Sequence, residues 1–286
     1  MTATTRGVSK SHAVTAPRAA TGSTTQQQPK RRSRTRPSGF VQWQALTGRA
    51  LWTMLTKGEL LIAVIAPLIF TIGFYLPLKF VMGLQGINYA QFLMPIIVLQ
   101  AMAFTAISAA QRASTEAMSG LNSRLKTMPV VRGVPLVARI SSGVVRSLVS
   151  LVSALGFGYV IGFRFTAGFG QAVLFCTLAM LISTTLSIGA DAIGTLSKSP
   201  EATSQVLTLP QLILGMASCG FVPESGFPEL IRPFVRNQPI SQFSFAMRDM
   251  AEGGVSFQVL WPSLAWVAGL ILFFVPLAIW ASSRPE

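Results

Sequence analysis

Three observations predict an all-α integral membrane fold of six transmembrane helices. Only 11% of the 286 residues are charged and mean hydropathy is +0.55, whereas a soluble domain carries about 25% charged residues. Six apolar stretches each come near the roughly 20 residues that cross a bilayer. Lys and Arg are concentrated in alternate connecting segments. Within this frame the chain divides into a basic tail (1–38), an amphipathic helix (39–58) and a membrane domain (59–284).

The tail is rich in Thr, Ser, Ala, Gln and basic residues and nearly lacks large apolar side chains, so it is expected to be disordered. It ends in the basic run Lys30-Arg31-Arg32-Ser33-Arg34-Thr35-Arg36. A cleavable signal peptide is not expected, because the polar lead and the first apolar run are both too long. From Phe40 to Leu55, Trp43, Leu46, Ala50, Leu51, Met54 and Leu55 fall near one helical face, with Gln42, Gln44, Arg49 and Lys57 elsewhere. A basic helix edged by Trp suits the headgroup plane; docking on a partner protein is the alternative.

The six spans are placed at about 60–78, 90–110, 137–161, 169–193, 206–221 and 259–281. Backbone polar groups must be satisfied within each segment, so the spans are expected to be helical. Pro67, Pro95, Pro210 and Pro276 fall in four of them as tolerated kinks. Of the 23 Lys and Arg, only Lys79, Arg164, Arg232, Arg236 and Arg248 fall in outer segments if the N-terminus is inside. The positive-inside rule then puts both termini in the cytoplasm of a plasma-membrane protein. It also accounts for most of the net charge of +14 without nucleic acid as a partner.

Two connections are more patterned than a plain linker. Between spans two and three, Leu121, Leu125 and Met128 recur at helical spacing around Arg124 and Lys126 until Pro129 stops the pattern. The segment reads as a short amphipathic helix, either an interfacial connector or a docking helix for a cytosolic partner. After span five, a segment rich in Phe, Ile and Met contains Phe227, Pro233, Phe234, Asn237 and Pro239, then the stripe Ile240, Phe243, Met247, Met250. Two short amphipathic helices that dip into the outer leaflet are expected there, the second opened by Pro239, since a plain loop would expose these side chains.

Catalytic and cofactor signatures fail on spacing. Gly156, Gly158 and Gly162 have one residue too many for a dinucleotide fingerprint and lie in a span. Gly158 and Gly162 instead form GxxxG, read as close helix packing. Gly194 to Ser199 lacks the glycine before Lys198 that a phosphate loop needs, so no ATP site is expected on this chain. No nucleophile elbow or zinc-protease motif occurs. No metal or other cofactor is expected to bind the chain, as Cys176 and Cys219 lie in apolar runs and His12 sits alone in the tail. Asp191 is the one carboxylate deep in a span, and a buried carboxylate needs a partner or water. Arg146 is a candidate partner, or it snorkels inward.

On these residues the chain resembles the ABC-2 family of export permeases, in particular the daunorubicin-resistance type of actinobacteria, over roughly residues 40–284. The most specific tract is Phe227-Pro228 with Pro233-Phe234-Val235-Arg236-Asn237-Gln238-Pro239-Ile240-Ser241. Glu116, Gly120-Leu121, Arg124-Leu125-Lys126 and Met128-Pro129 match the family's cytosolic coupling helix, and Asp191, Gly194 and Ser199-Pro200-Glu201 fit its inner loop before span five. In the usual pattern an acidic–basic pair opens the coupling helix. Here Glu116 is followed by Ala117, so no ion pair is expected at that point.

The resemblance implies a non-catalytic subunit with an N-terminal elbow helix, a coupling helix and re-entrant outer helices. It also implies two copies of a separate ATPase that binds ATP and Mg, and a second permease subunit, identical or paralogous. The expected cargo is hydrophobic, either an anthracycline-like drug or a complex cell-wall lipid such as phthiocerol dimycocerosate, moved toward the outer leaflet. The alternatives are a secondary transporter or channel using Asp191, and a membrane enzyme or scaffold.

Overall fold

The computed structural model describes residues 38–84, 86, 88–119, 133–197 and 199–283. The basic tail up to residue 37 and the coupling-helix residues Leu121, Arg124, Leu125, Lys126, Met128 and Pro129 lie outside the described residues. Among the described residues every regular element is helical.

Helix α1 (Gly39–Thr56) starts where the Ser38 side chain accepts from the backbone N–H of Val41, satisfying one of the helix's free donors. It ends at Lys57 and Gly58, whose φ of 73° turns the chain directly into α2 (Glu59–Leu84). Asn88 caps α3 (Tyr89–Met118). Pro135 sits in the first turn of α4 (Val134–Ile161), and α5 (Phe169–Leu196) follows. Ser199 and Pro200 open α6 (Pro200–Met216). A 3-10 turn (Glu224–Gly226), the short α7 (Arg232–Asn237), α8 (Pro239–Glu252) and α9 (Phe257–Ser283) complete the described elements.

Five of these helices, namely α2, α3, α4, α5 and α9, are long and apolar enough to cross a membrane. The stretch expected as a fifth span differs. Its helix begins at Pro200 rather than 206, has 17 residues, and ends at Met216 instead of continuing to 221. The carbonyls of Leu214 and Ala217 accept from Nε2 of Gln238, which caps the helix from the following segment.

Helix α3 is the axis of the bundle. Its most apolar window is 78% buried, against 17% for α2 and for α9. Leu93, Met94, Ile96, Ile97 and Val98 are all fully buried, the mark of a helix that is enclosed on all sides. Around it pack α2, α4, α5, α6 and α8, with α9 against α5 and α8. The outer surfaces of α2 and α9 carry exposed Leu61, Ile69, Phe80, Leu272 and Phe273. Such a belt suits acyl chains and would be a liability in water. Helix α3 also runs on to Met118, about two turns past the span expected to end at 110.

Candidate functional site

Because the helices alternate in direction, the starts of α2 and α4 and the ends of α3 and α5 meet at one end of the bundle. There the chain collects six charged side chains. Glu59 Oε2 lies 3.4 Å from Nε of Arg112 and 3.5 Å from Nη1 of Arg146. Arg139 donates to Oε2 of Glu116 at 2.6 Å and to Oδ2 of Asp191 at 3.3 Å. One carboxylate thus serves two guanidiniums, and one guanidinium serves two carboxylates. Three acids balance three bases, which is what low-polarity surroundings require of buried charge.

Arg146 is 1% exposed and reaches deepest, donating also to the carbonyl of Thr105. Beside it the hydroxyls of Thr105, Ser147 and Ser183 form a triangle with sides of 2.7, 3.0 and 3.2 Å that joins α3, α4 and α5. Farther along α3, buried Gln100 accepts from Gln211 of α6. The Cβ that Gly194 lacks would collide with the Ala110 backbone, so α5 and α3 touch almost backbone to backbone beside the charges.

A cavity of about 560 Å³ opens beside this network, walled by α1 on one side and by α2 to α6 on the other. Helix α1 is docked there rather than free: Nε1 of Trp43 donates to Oγ of Ser141 on α4 at 3.0 Å, and Met54 is 1% exposed. Leu46 and Ala50 line the cavity, while Phe40, Val41, Trp52 and Leu55 are exposed.

The opposite end is closed by polar latches. Nε of Arg248 donates to the Phe92 carbonyl, and its Nη2 donates to the carbonyls of Cys219 and Gly220. The guanidinium also lies 3.5 Å above the Phe92 ring. Burial pushes the Arg248 guanidinium down to about 10, so it remains a cation at neutral pH. Burial raises the neighbouring Asp249 carboxyl as well. Gln91 and the backbone of Arg164 exchange two hydrogen bonds, of 2.5 and 3.0 Å.

Several expected site residues are placed differently from their sequence reading. Asp191 pairs with Arg139 and not with Arg146, because Arg139 is near the start of α4, level with the end of α5, while Arg146 lies two turns deeper. Glu116 falls in the last turn of α3 and does form an ion pair; the partner comes from α4, which local sequence could not reveal. Of the GxxxG pair, Gly158 packs against the Met94 side chain as expected. Gly162 instead ends α4 at φ 105° with nothing within 4 Å, so it is a cap and not a packing residue.

The outer segment does form two short helices, with Pro239 in the first turn of the second. Yet Phe243, Met247 and Met250 are buried in the bundle core, while Phe234 stays 62% exposed. Pro233 and Asn237 lie at the surface of α7, with Asn237 Nδ2 donating to the Pro233 carbonyl, and Phe227 before it is half-buried. Glu59, Arg112 and Arg139 were not singled out from sequence. The signal for two of the network residues was local: Arg112 and Glu116 stand four apart on one face of α3.

Residues 81–280 match the family described as ABC-2 family transporter protein. The doxorubicin resistance ABC transporter permease protein DrrB of Mycobacterium tuberculosis is 39% identical over 265 residues, covering 85% of this chain and 91% of that protein. A probable doxorubicin resistance ABC transporter permease protein, DrrC, of the same organism is 33% identical over 161 residues, or 56% of this chain and 58% of that protein. The daunorubicin resistance ABC transporter permease protein DrrB1 of Streptomyces coeruleorubidus is 25% identical over 224 residues, 77% of this chain and 78% of that protein.

Proposed function

Because the chain belongs to the ABC-2 family of transporter proteins, we propose that it is the non-catalytic permease subunit of an ATP-driven exporter of the drug-resistance type. Its partners are two copies of a cytosolic ATPase, which carries the ATP and Mg, and a second permease subunit, identical or paralogous. The cargo is hydrophobic: a lipophilic drug of the doxorubicin or daunorubicin kind, or a complex cell-wall lipid, moved toward the outer leaflet. In this reading the charged end of the bundle is cytoplasmic, α1 is the elbow helix, and α6 with the segment after it serves as the fifth of six spans.

The observation that carries the reading is the ion pair between Glu116 and Arg139. These residues lie on the two helices that flank residues 120–132, the segment assigned to ATPase coupling. A force applied to that segment is delivered to α3 and α4 together, and through Asp191 to α5. Each of the three carboxylates of the network, Asp191 among them, is held by an arginine, which argues against a proton-coupled transporter that relies on Asp191.

The test is to express the chain with its ATPase and replace Leu121 and Leu125 by Asp. The ATPase should fail to copurify while membrane insertion is unchanged, and drug-stimulated ATP hydrolysis in reconstituted membranes should vanish. Normal recovery of the ATPase with the double variant would remove the coupling assignment. Transport that follows a proton gradient without any ATPase would remove the exporter reading altogether.

A further inference from the structure

We propose that the cavity between α1 and the charged end of the bundle holds the headgroup of an anionic phospholipid. Its volume, about 560 Å³, lies within the roughly 300–1,000 Å³ of small-ligand sites. The charge on its walls selects the sign of the occupant. The carboxylates of Glu59, Glu116 and Asp191 reach the cavity, but each already faces a bundle arginine, so none is left for a cation. On the opposite wall Arg49 and Lys57 of α1 line the cavity, and neither has a carboxylate partner among the described residues. The unbalanced charge is therefore positive and sits on α1.

The mouth selects a lipid over a free anion. Ile62 and Val144 line the cavity, yet are 61% and 36% exposed on the outer surface of α2 and α4. The cavity thus opens sideways onto the apolar belt as well as toward water. A phosphate inside, with acyl chains running out past Ile62 and Val144, satisfies both surroundings. Ser187 of α5 lines the cavity, and its buried Oγ has no hydrogen-bond partner. Such a lipid joins α1 to the bundle beside the hydrogen bond from Trp43 to Ser141. The inference rests on this geometry alone and stands or falls independently of what the bundle transports.

The full chain, reconstituted with phosphatidylcholine and phosphatidylglycerol and released into detergent, is examined by native mass spectrometry. One phosphatidylglycerol per chain should survive activation that strips phosphatidylcholine. The Arg49→Gln/Lys57→Gln variant should retain at least about tenfold less, the scale of a single lost charge-assisted contact being the lower bound for removing two. The charge-keeping Arg49→Lys/Lys57→Arg variant should retain the lipid, which separates lost binding from misfolding. An excess of inorganic phosphate should leave the lipid in place. Equal retention by wild type and the Gln variant, no preference for phosphatidylglycerol, or displacement of the lipid by phosphate would each overturn the proposal. So would a Gln variant that keeps its lipid but loses the ATPase on copurification, since the two cations would then belong to a protein contact.

Discussion

Oε2 of Glu116 accepts from both Nε and Nη2 of Arg139, at 2.8 and 2.6 Å, and this pair fastens the last turn of α3 to the start of α4. The same guanidinium donates to Asp191 on α5. Three helices therefore share one cation at the end of the bundle, and the consequences of removing its members should be unequal.

Arg139→Gln strands two carboxylates in a half-buried site and should destabilise the protein by about 3–5 kcal/mol, the range for an uncompensated buried charge. Glu116→Gln leaves Arg139 with Asp191 and removes a group that is itself 37% exposed, so its cost should be about 1 kcal/mol or less. Thermal unfolding in detergent with a fluorescent thiol dye or light scattering ranks the two. Equal losses would mean that Asp191 is not held by Arg139.

The close approach of α3 and α5 depends on Gly194. Gly194→Ala pushes a methyl group into the Ala110 backbone, which cannot yield as a side chain can, so a loss of about 1–3 kcal/mol is expected. Gly158→Ala meets only the flexible end of Met94, and should cost less. Gly170→Ala, with open space around it, serves as the tolerated control. Melting temperatures should fall in the order Gly170→Ala, Gly158→Ala, Gly194→Ala; a Gly194 variant as stable as the control would refute the close contact.

Within the outer segment the two phenylalanines should separate assembly from transport. Phe243 is 3% exposed and packed in the core, so Phe243→Asp should give aggregated protein on size-exclusion chromatography. Phe234→Asp alters an exposed side chain and should leave the elution profile intact while reducing export of a fluorescent anthracycline. Full export by a well-assembled Phe234→Asp protein would make α7 a bystander.

Arg248 holds three backbone carbonyls, one from α3 and two from the turn that follows α6. Arg248→Met keeps the bulk of the side chain and abandons those acceptors, so a loss of about 2–4 kcal/mol is expected for several unsatisfied buried groups. Hydrogen exchange should accelerate at residues 214–221, which Arg248 and Gln238 cap, before it changes at the charged end. A uniform change along the chain would indicate general destabilisation instead.

The membrane class, the start of the amphipathic helix at residue 39, the opening of the second outer helix at Pro239, and the two outer helices were legible in the sequence, whereas the helix start at Ser199 and Pro200, expected at 206, was not. Each legible feature follows from hydropathy or from capping chemistry within a few residues. The tract from Phe227 to Ser241 and the pattern from Glu116 to Pro129 likewise carried the family, because both are local strings. What the tertiary structure decided was which charge meets which. Asp191 and Arg139 are 52 positions apart, and Glu59 and Arg146 are 87 apart. Only the antiparallel packing brings them level, and a two-turn difference in depth along α4 selected Arg139 over Arg146. The same holds for Gly162, whose motif suggested packing until the helix ended there, and for Phe243, whose stripe reads as amphipathic in one dimension yet closes on the core. Periodicity reports that a face is apolar; only the arrangement of neighbouring helices settles whether that face meets lipid or protein.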